Sequence, residues 1–408
     1  MSPGGRAPSP RAPMLLKARL MTPGPTAMAE STRLAMAAAT PHHRTTAFAD
    51  TLREVLEHLR WLWETEDDGD VLVVAGSGTT GMEAAMGTVL APGDRVAIVR
   101  AGKFGERWQA LAQLLGCEVV EIPRPWGHSV TAEDVRRILG DEAPVQALVV
   151  VASETSTGAL QPVPEIAAAL RAHSPDALVL VDGITAVGCV DLSMRRHSLD
   201  VLVSGSQKAF GLPPGAAFVG MGPRAWARAG SIAPRGMALD LRRERKQSAS
   251  GQTAFTPAIS LVVGAHEVMT RWREMGRDTL LEHADMLSTA CLAAARALGL
   301  EPFATDLPSP ALTSIAVPPT LDGAKLVARM REQYGTHVAG GQDQLKGRIL
   351  RIGHLGAVDP FDLLQALCAL ELALHEAGHP VRLGAGVAAA QEALAPWMRQ
   401  ATPSTIHP

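Results

Sequence analysis

The chain has 408 residues, enough for one large α/β domain and a smaller second one. Apolar residues at 47% and charged residues at 19% are globular proportions, and a formal net charge of −3 gives nucleic acid or an anionic membrane no electrostatic attraction. One tyrosine, four scattered cysteines without a CxxC pair and no apolar run of the ~18 residues a membrane helix needs argue against a base-stacking surface, a zinc site, a disulfide framework and a membrane span, and fit a reducing cytoplasm.

Residues 1–20 carry Arg6, Arg11, Lys17 and Arg19, several prolines and no acid. Organelle leaders are similarly basic, but the proline density opposes an amphipathic helix, so a disordered extension is expected, with Met14 and Met21 as alternative starts. Met21-Thr-Pro-Gly-Pro-Thr26 reads as a rigid turn in which Pro23 and Pro25 fix φ and Gly24 permits close backbone approach. His42 and His43 face different ways on any regular element, and no third ligand stands at metal-binding spacing; no metal is expected. Phe48, Leu52, Val55, Leu59 and Leu62 recur at helical spacing and predict an amphipathic helix over 47–64, with Trp61 and Trp63 as packing groups.

The apolar run from Val71 predicts a strand that meets Gly76-Ser-Gly-Thr79, with a helix opening directly after it. A helix N-terminus offers unpaired N–H groups and a positive dipole end, so this is a natural phosphate seat, with Ser77 and Thr79 adding hydroxyls. In isolation the motif is weak: it is neither a P-loop nor a full dinucleotide fingerprint. A strand over 95–99 then leads to Gly102-Lys-Phe-Gly-Glu-Arg-Trp108, and a strand over 147–151 leads to Ser153-Glu-Thr-Ser-Thr-Gly158.

Two β-branched runs, 178–181 and 201–203, read as buried strands of a parallel sheet, which places ligands at the carboxyl ends of its strands. The first delivers Asp182, and the second delivers Lys208 from Ser-Gly-Ser-Gln-Lys. A lysine and an acid at one rim suit pyridoxal phosphate: the amine would bond the cofactor, and the carboxylate would keep the pyridine nitrogen protonated. After Pro213-Pro-Gly215 a strand over 216–220 completes the large sheet. Residues 240–248 are a basic run of the kind usually found on solvated faces. One helix over 259–297 is expected to link the domains, followed by strands near 311–316 and 348–352 and an Ala-rich helix with a proline-containing tail over 382–408.

Together, Pro-Gly-Pro-Thr, Gly-Ser-Gly-Thr, Glu-Thr-Ser-Thr-Gly, Ser-Gly-Ser-Gln-Lys, Thr256-Pro257 and Arg351-Ile-Gly resemble the class V aminotransferases of fold type I, particularly the alanine–glyoxylate and serine–pyruvate enzymes. The resemblance runs through residues 20 to 375. It implies an α/β fold, with a large domain (21–265) built on a mostly parallel seven-stranded sheet, a smaller α+β domain (266–380), and a helix and tail (381–408). It also implies pyridoxal 5'-phosphate bonded to Lys208 and steadied by Asp182, with Ser77, Gly78, Thr79 and Gln207 around the phosphate. Phe104 would stack on the ring, with Trp108 as the alternative stacker and Ile184 on the opposite face. Thr155 would contact ring or substrate, Gly24 would line the substrate side, and Arg351 would clamp the substrate carboxylate through paired bonds that lysine cannot reproduce. A homodimer with shared sites is implied, Thr256 reaching the neighbour's phosphate; where relatives often have an aromatic three residues before that threonine, this chain has Thr253.

The expected reaction is transamination of a small amino acid, alanine or serine, with glyoxylate or pyruvate. A phosphonate or ω-amino donor stays open. A cysteine desulfurase would need a nucleophilic cysteine on a small-domain loop, and residues 318–348 contain none. A non-catalytic subunit of a redox complex is the remaining alternative, although a scaffold has little reason to keep Asp182, Lys208 and Arg351 together.

Overall fold

The computed structural model describes residues 16–140 and 142–400. Seven strands form the main sheet: β1 (Asp70–Gly76), β2 (Arg95–Arg100), β3 (Glu118–Pro123), β4 (Ala147–Val151), β5 (Leu178–Asp182), β6 (Val201–Gly205) and β7 (Gly215–Met221). Their order is β1-β7-β6-β5-β4-β2-β3, and only β7 runs antiparallel to its neighbours. Every residue of β4, β5 and β6 is buried, because helices cover both faces of the sheet, and this is why those strands read as unbroken apolar runs.

Alternate residues along each strand feed two cores. Val179 and Val181 point to the side covered by helices Thr46–Trp63, Val163–His173 and Ile259–Met275, while Leu178 and Leu180 point to the side of Gly78–Val89, Lys103–Leu114 and Pro223–Gly230. Helix Thr46–Trp63 buries Phe48, Leu52, Val55, Leu59 and Leu62 as its periodicity predicts, and Thr45 caps its start by accepting from the N–H of Phe48.

A third core lies in a three-stranded antiparallel sheet of β8 (Leu312–Ala316), β9 (Ala339–Gly340) and β10 (Ile349–Gly353), ordered β8-β10-β9 and backed by helices Gly323–Tyr334 and Pro360–Glu376. The helix expected over 259–297 is two helices. Gly276 has φ of 86°, which a continuing α-helix excludes, so Ile259–Met275 ends there and Arg277–Ala297 begins. The Ala-rich segment forms helix Ala385–Gln400, which packs on Arg277–Ala297 and lends Ala390 and Leu394 to the third core.

The expected extension falls mainly outside the described residues, as does the tail over 401–408. Residues Arg19–Leu20 differ from the expectation: they form a short strand parallel to Thr336–His337, and Met21 is buried in the third core. The basic run at 240–248 is also more anchored than expected. It forms helix Leu241–Ser248, with Leu241 buried and Arg245 paired with Asp70 at 2.7 Å. Among the described residues no helix is long and apolar enough to cross a membrane, and no group of three His, Cys, Asp or Glu is placed to hold a metal.

Candidate active site

The carboxyl ends of β1, β4, β5 and β6 converge on a cavity of about 240 Å³. From β1 come Ser77, Gly78 and Thr79 at the start of helix Gly78–Val89, whose first N–H groups have no intrahelical acceptor. From β4 come Ser153 and Thr155, and from β5 come Asp182, Ile184 and Thr185. Gln207 and Lys208 follow β6. Phe104 and Arg107 enter from helix Lys103–Leu114.

Asp182 is buried, and its desolvation pushes the carboxyl up to about 6. Two donors oppose that shift: the Trp108 indole N–H on Oδ2 and the Ile184 backbone N–H on Oδ1, each at 2.8 Å. Trp108 is therefore a support for Asp182 and not a stacking group; it is fully buried behind the cavity wall. Its spacing from Phe104 put it on the same helical face, but sequence does not report depth.

Lys208 is likewise buried, and desolvation lowers its amine to about 8. Its Nζ donates to the carbonyl of Pro23 at 2.6 Å, and its own carbonyl accepts from the Thr26 hydroxyl at 2.6 Å. The turn 21–26 is thus packed against the lysine. Gly24, with φ of 122°, leaves no room for a side chain, since a Cβ there would lie 2.5 Å from Lys208 Nζ.

A feature not read from the sequence is Glu154. Fully buried, it accepts from the backbone N–H groups of Phe104 and Gly105 at 3.2 Å and from the Ser156 hydroxyl at 2.6 Å. Burial pushes its carboxyl up, and these donors hold it against that trend. The result fixes the start of the helix that carries Phe104. Thr155 pairs with Thr185 hydroxyl to hydroxyl at 2.6 Å, and its carbonyl accepts from Arg351 Nη1 at 2.7 Å. Arg351 also sends Nε and Nη2 to the carbonyl of Gly340 at 3.0 and 2.7 Å. Its guanidinium is buried, and that desolvation lowers its pKa to about 10. No carboxylate pairs with Arg351 among the described residues.

Three expected site residues do not line this cavity: Gly24 packs against Lys208 and Arg351 bonds the Thr155 carbonyl just outside it, whereas Thr256 is exposed and stands apart. Thr253, at the position where relatives have an aromatic, is buried and donates to the carbonyl of Phe255 at 2.6 Å.

The residues present fit pyridoxal phosphate. The side-chain amide oxygen of Gln207 is buried without a hydrogen-bond partner, and the same amide turned over presents its NH2 donors to a phosphate. A helix N-terminus, capped by Ser77 and Thr80 but with the N–H groups of Gly78 and Thr79 outside that box, an amine and a buried carboxyl face the same small space, whose wall also carries the apolar side chains of Phe104 and Ile184.

Comparison with known proteins gives the same answer. Residues 26–349 match the family described as aminotransferase class-V. A protein named soluble hydrogenase 42 kDa subunit, from Anabaena cylindrica, is 37% identical over 92% of this chain and 98% of its own length. The L-aspartate–glyoxylate aminotransferase of Paracoccus denitrificans is 32% identical over 91% and 95%. The crystal structure of a subgroup IV aspartate aminotransferase from Thermus thermophilus superposes with a TM-score of 0.82 at 33% identity, covering 88% of this chain and 99% of that one. The chain belongs to the class V aminotransferases, pyridoxal-phosphate enzymes of fold type I.

Proposed function

We propose that this aminotransferase takes the amino group of a small neutral amino acid, alanine or serine, and passes it to glyoxylate or pyruvate. The observation that carries the reading is Arg351. A buried guanidinium hydrogen-bonded only to main-chain carbonyls, with Glu154 near but not paired with it, is placed to meet a substrate carboxylate. A second substrate carboxylate would need a second cation; Lys103, beside Phe104, is already paired with Asp343 at 2.6 Å, and Arg107 is directed to Thr79 at the phosphate seat.

Bound pyridoxal phosphate supplies an electron sink for the bonds at the substrate α-carbon. In this reading Lys208 would hold the cofactor, and its amine, when free, would move the proton at the substrate α-carbon as base and acid. Its lowered pKa keeps a useful fraction of neutral amine near neutral pH. Asp182 would keep the pyridine nitrogen protonated, Phe104 and Ile184 would hold the ring between them, and Arg351 would set the donor's orientation. Ser77, Gly78, Thr79 and Gln207 take the phosphate, and Thr256 would reach the site of a second copy in a homodimer. A desulfurase reading has little support: no cysteine lines the cavity, and burial pushes Cys189 and Cys291 up to about 12.

The test is the visible absorption of the purified protein as amino acids are added. L-Alanine or L-serine should bleach the lysine-bound cofactor band, and glyoxylate or pyruvate should restore it. Aspartate, named for two of the relatives, belongs in the same series; a tenfold preference for it would overturn the neutral-donor assignment. No response to any amino acid would leave the subunit reading that the Anabaena name carries.

A further inference from the structure

We infer that Arg107 is the counter-charge for the cofactor phosphate. Arg107 and Lys208 are the only cationic side chains among the residues that line the cavity. Once Lys208 bonds the cofactor, its amine no longer provides a dedicated charge for the phosphate. The helix N-terminus offers only about half a charge, and the hydroxyls of Ser77 and Thr79 offer none. A phosphate dianion then faces one full positive charge, that of Arg107.

The local geometry supports this assignment in two ways. Arg107 Nη1 donates to Thr79 Oγ1 at 3.1 Å, so the guanidinium sits at the phosphate seat itself, and the accepting hydroxyl keeps its own hydrogen for an anion. The same guanidinium lies 4.8 Å over the centroid of Phe104, within cation–π range. No carboxylate pairs with Arg107 among the described residues, whereas its helix neighbours Lys103 and Glu106 pair with each other at 3.8 Å. One exposed side chain therefore touches both the phosphate seat and the candidate ring-stacking residue. The i, i+3 spacing of Phe104 and Arg107 on a single helix turn makes that double contact available.

This inference rests on the cofactor-site reading above, and the experiment separates the two. Cofactor-free wild type, Arg107→Gln and Arg107→Lys are titrated with pyridoxal phosphate and, separately, with pyridoxal, which lacks the phosphate. Arg107→Gln should weaken pyridoxal phosphate about 10- to 100-fold, the change expected for one charge-assisted bond. Pyridoxal should change less than about twofold, and Arg107→Lys should recover part of the loss. Unchanged pyridoxal phosphate affinity in Arg107→Gln overturns the inference. So does equal weakening of both ligands, which would leave Arg107 with a purely structural role at Phe104. If wild type binds neither ligand, the cofactor-site reading itself falls, and this inference falls with it.

Discussion

The indole N–H of Trp108 donates to Asp182 Oδ2 at 2.8 Å, joining the helix that carries Phe104 to the end of β5. Without such donors a carboxyl this deeply buried would stay protonated at neutral pH. Trp108→Phe should therefore raise the Asp182 pKa from about 6 by about one unit, the effect of losing a bond to a charged group. In the pH dependence of pyridoxal phosphate binding to the cofactor-free chain, the acid limb should move upward. A profile shifted by less than about 0.3 units would mean that the indole only fills space.

Asp182 also carries a cost. A carboxyl whose folded pKa lies above its unfolded value binds its proton more tightly in the folded chain, so its contribution is complete below about pH 4 and is lost as the pH rises through about 6. Above pH 7 the cost approaches roughly 3 kcal/mol in the cofactor-free chain. Asp182→Asn should abolish transamination yet make that chain more stable at pH 8, by roughly 1–2 kcal/mol once the imperfect fit of the amide is allowed for. Urea unfolding at pH 4 and pH 8 would show the gap closing at the lower pH; a constant gap would contradict the linkage.

Gly24→Ala places a methyl 2.5 Å from Lys208 Nζ on a backbone with φ of 122°. The lysine must move, so kcat should fall at least ~100-fold, as expected when a reacting group is displaced by about an ångström. Far-ultraviolet circular dichroism should stay unchanged, because the strands and helices of the main sheet do not depend on this turn. Retention of half the activity would show that Lys208 has more room than its packing indicates.

Arg351→Lys keeps a charge but cannot span the carbonyls of Gly340 and Thr155 while also meeting a carboxylate with two N–H groups. The KM for the amino donor should rise about 10- to 100-fold. Pyridoxal phosphate affinity should hold within about twofold, because Arg351 does not line the cofactor cavity. Steady-state kinetics beside a cofactor titration would separate the two effects.

Much of this was legible in the chain. Strands buried on both faces announce themselves as β-branched runs, and their ends put Asp182 and Lys208 where a parallel sheet holds ligands. What escaped depended on depth and on contacts between distant segments. Trp108 reads the same whether it faces a ligand or the core, and its role follows only from the placement of β5 behind it. Glu154 looked like part of a polar turn, but its donors come from a helix some fifty positions earlier. Gly276 was visible as a residue, yet glycine is tolerated inside helices, so only its φ reveals the break.

Met21 is held through its carbonyl by the N–H of Gly353, and a few residues later Pro23 accepts from the lysine amine. During synthesis the ribosome releases this leading segment long before β10, its partner in the third core, has been made. The lysine pocket therefore cannot close while the chain is still growing through the main sheet; it is finished only when late and early segments meet. Such a long-range closure is slow to form, so the contact that holds Pro23 beside Lys208 is braced by the third core only after the strands of the main sheet have been made.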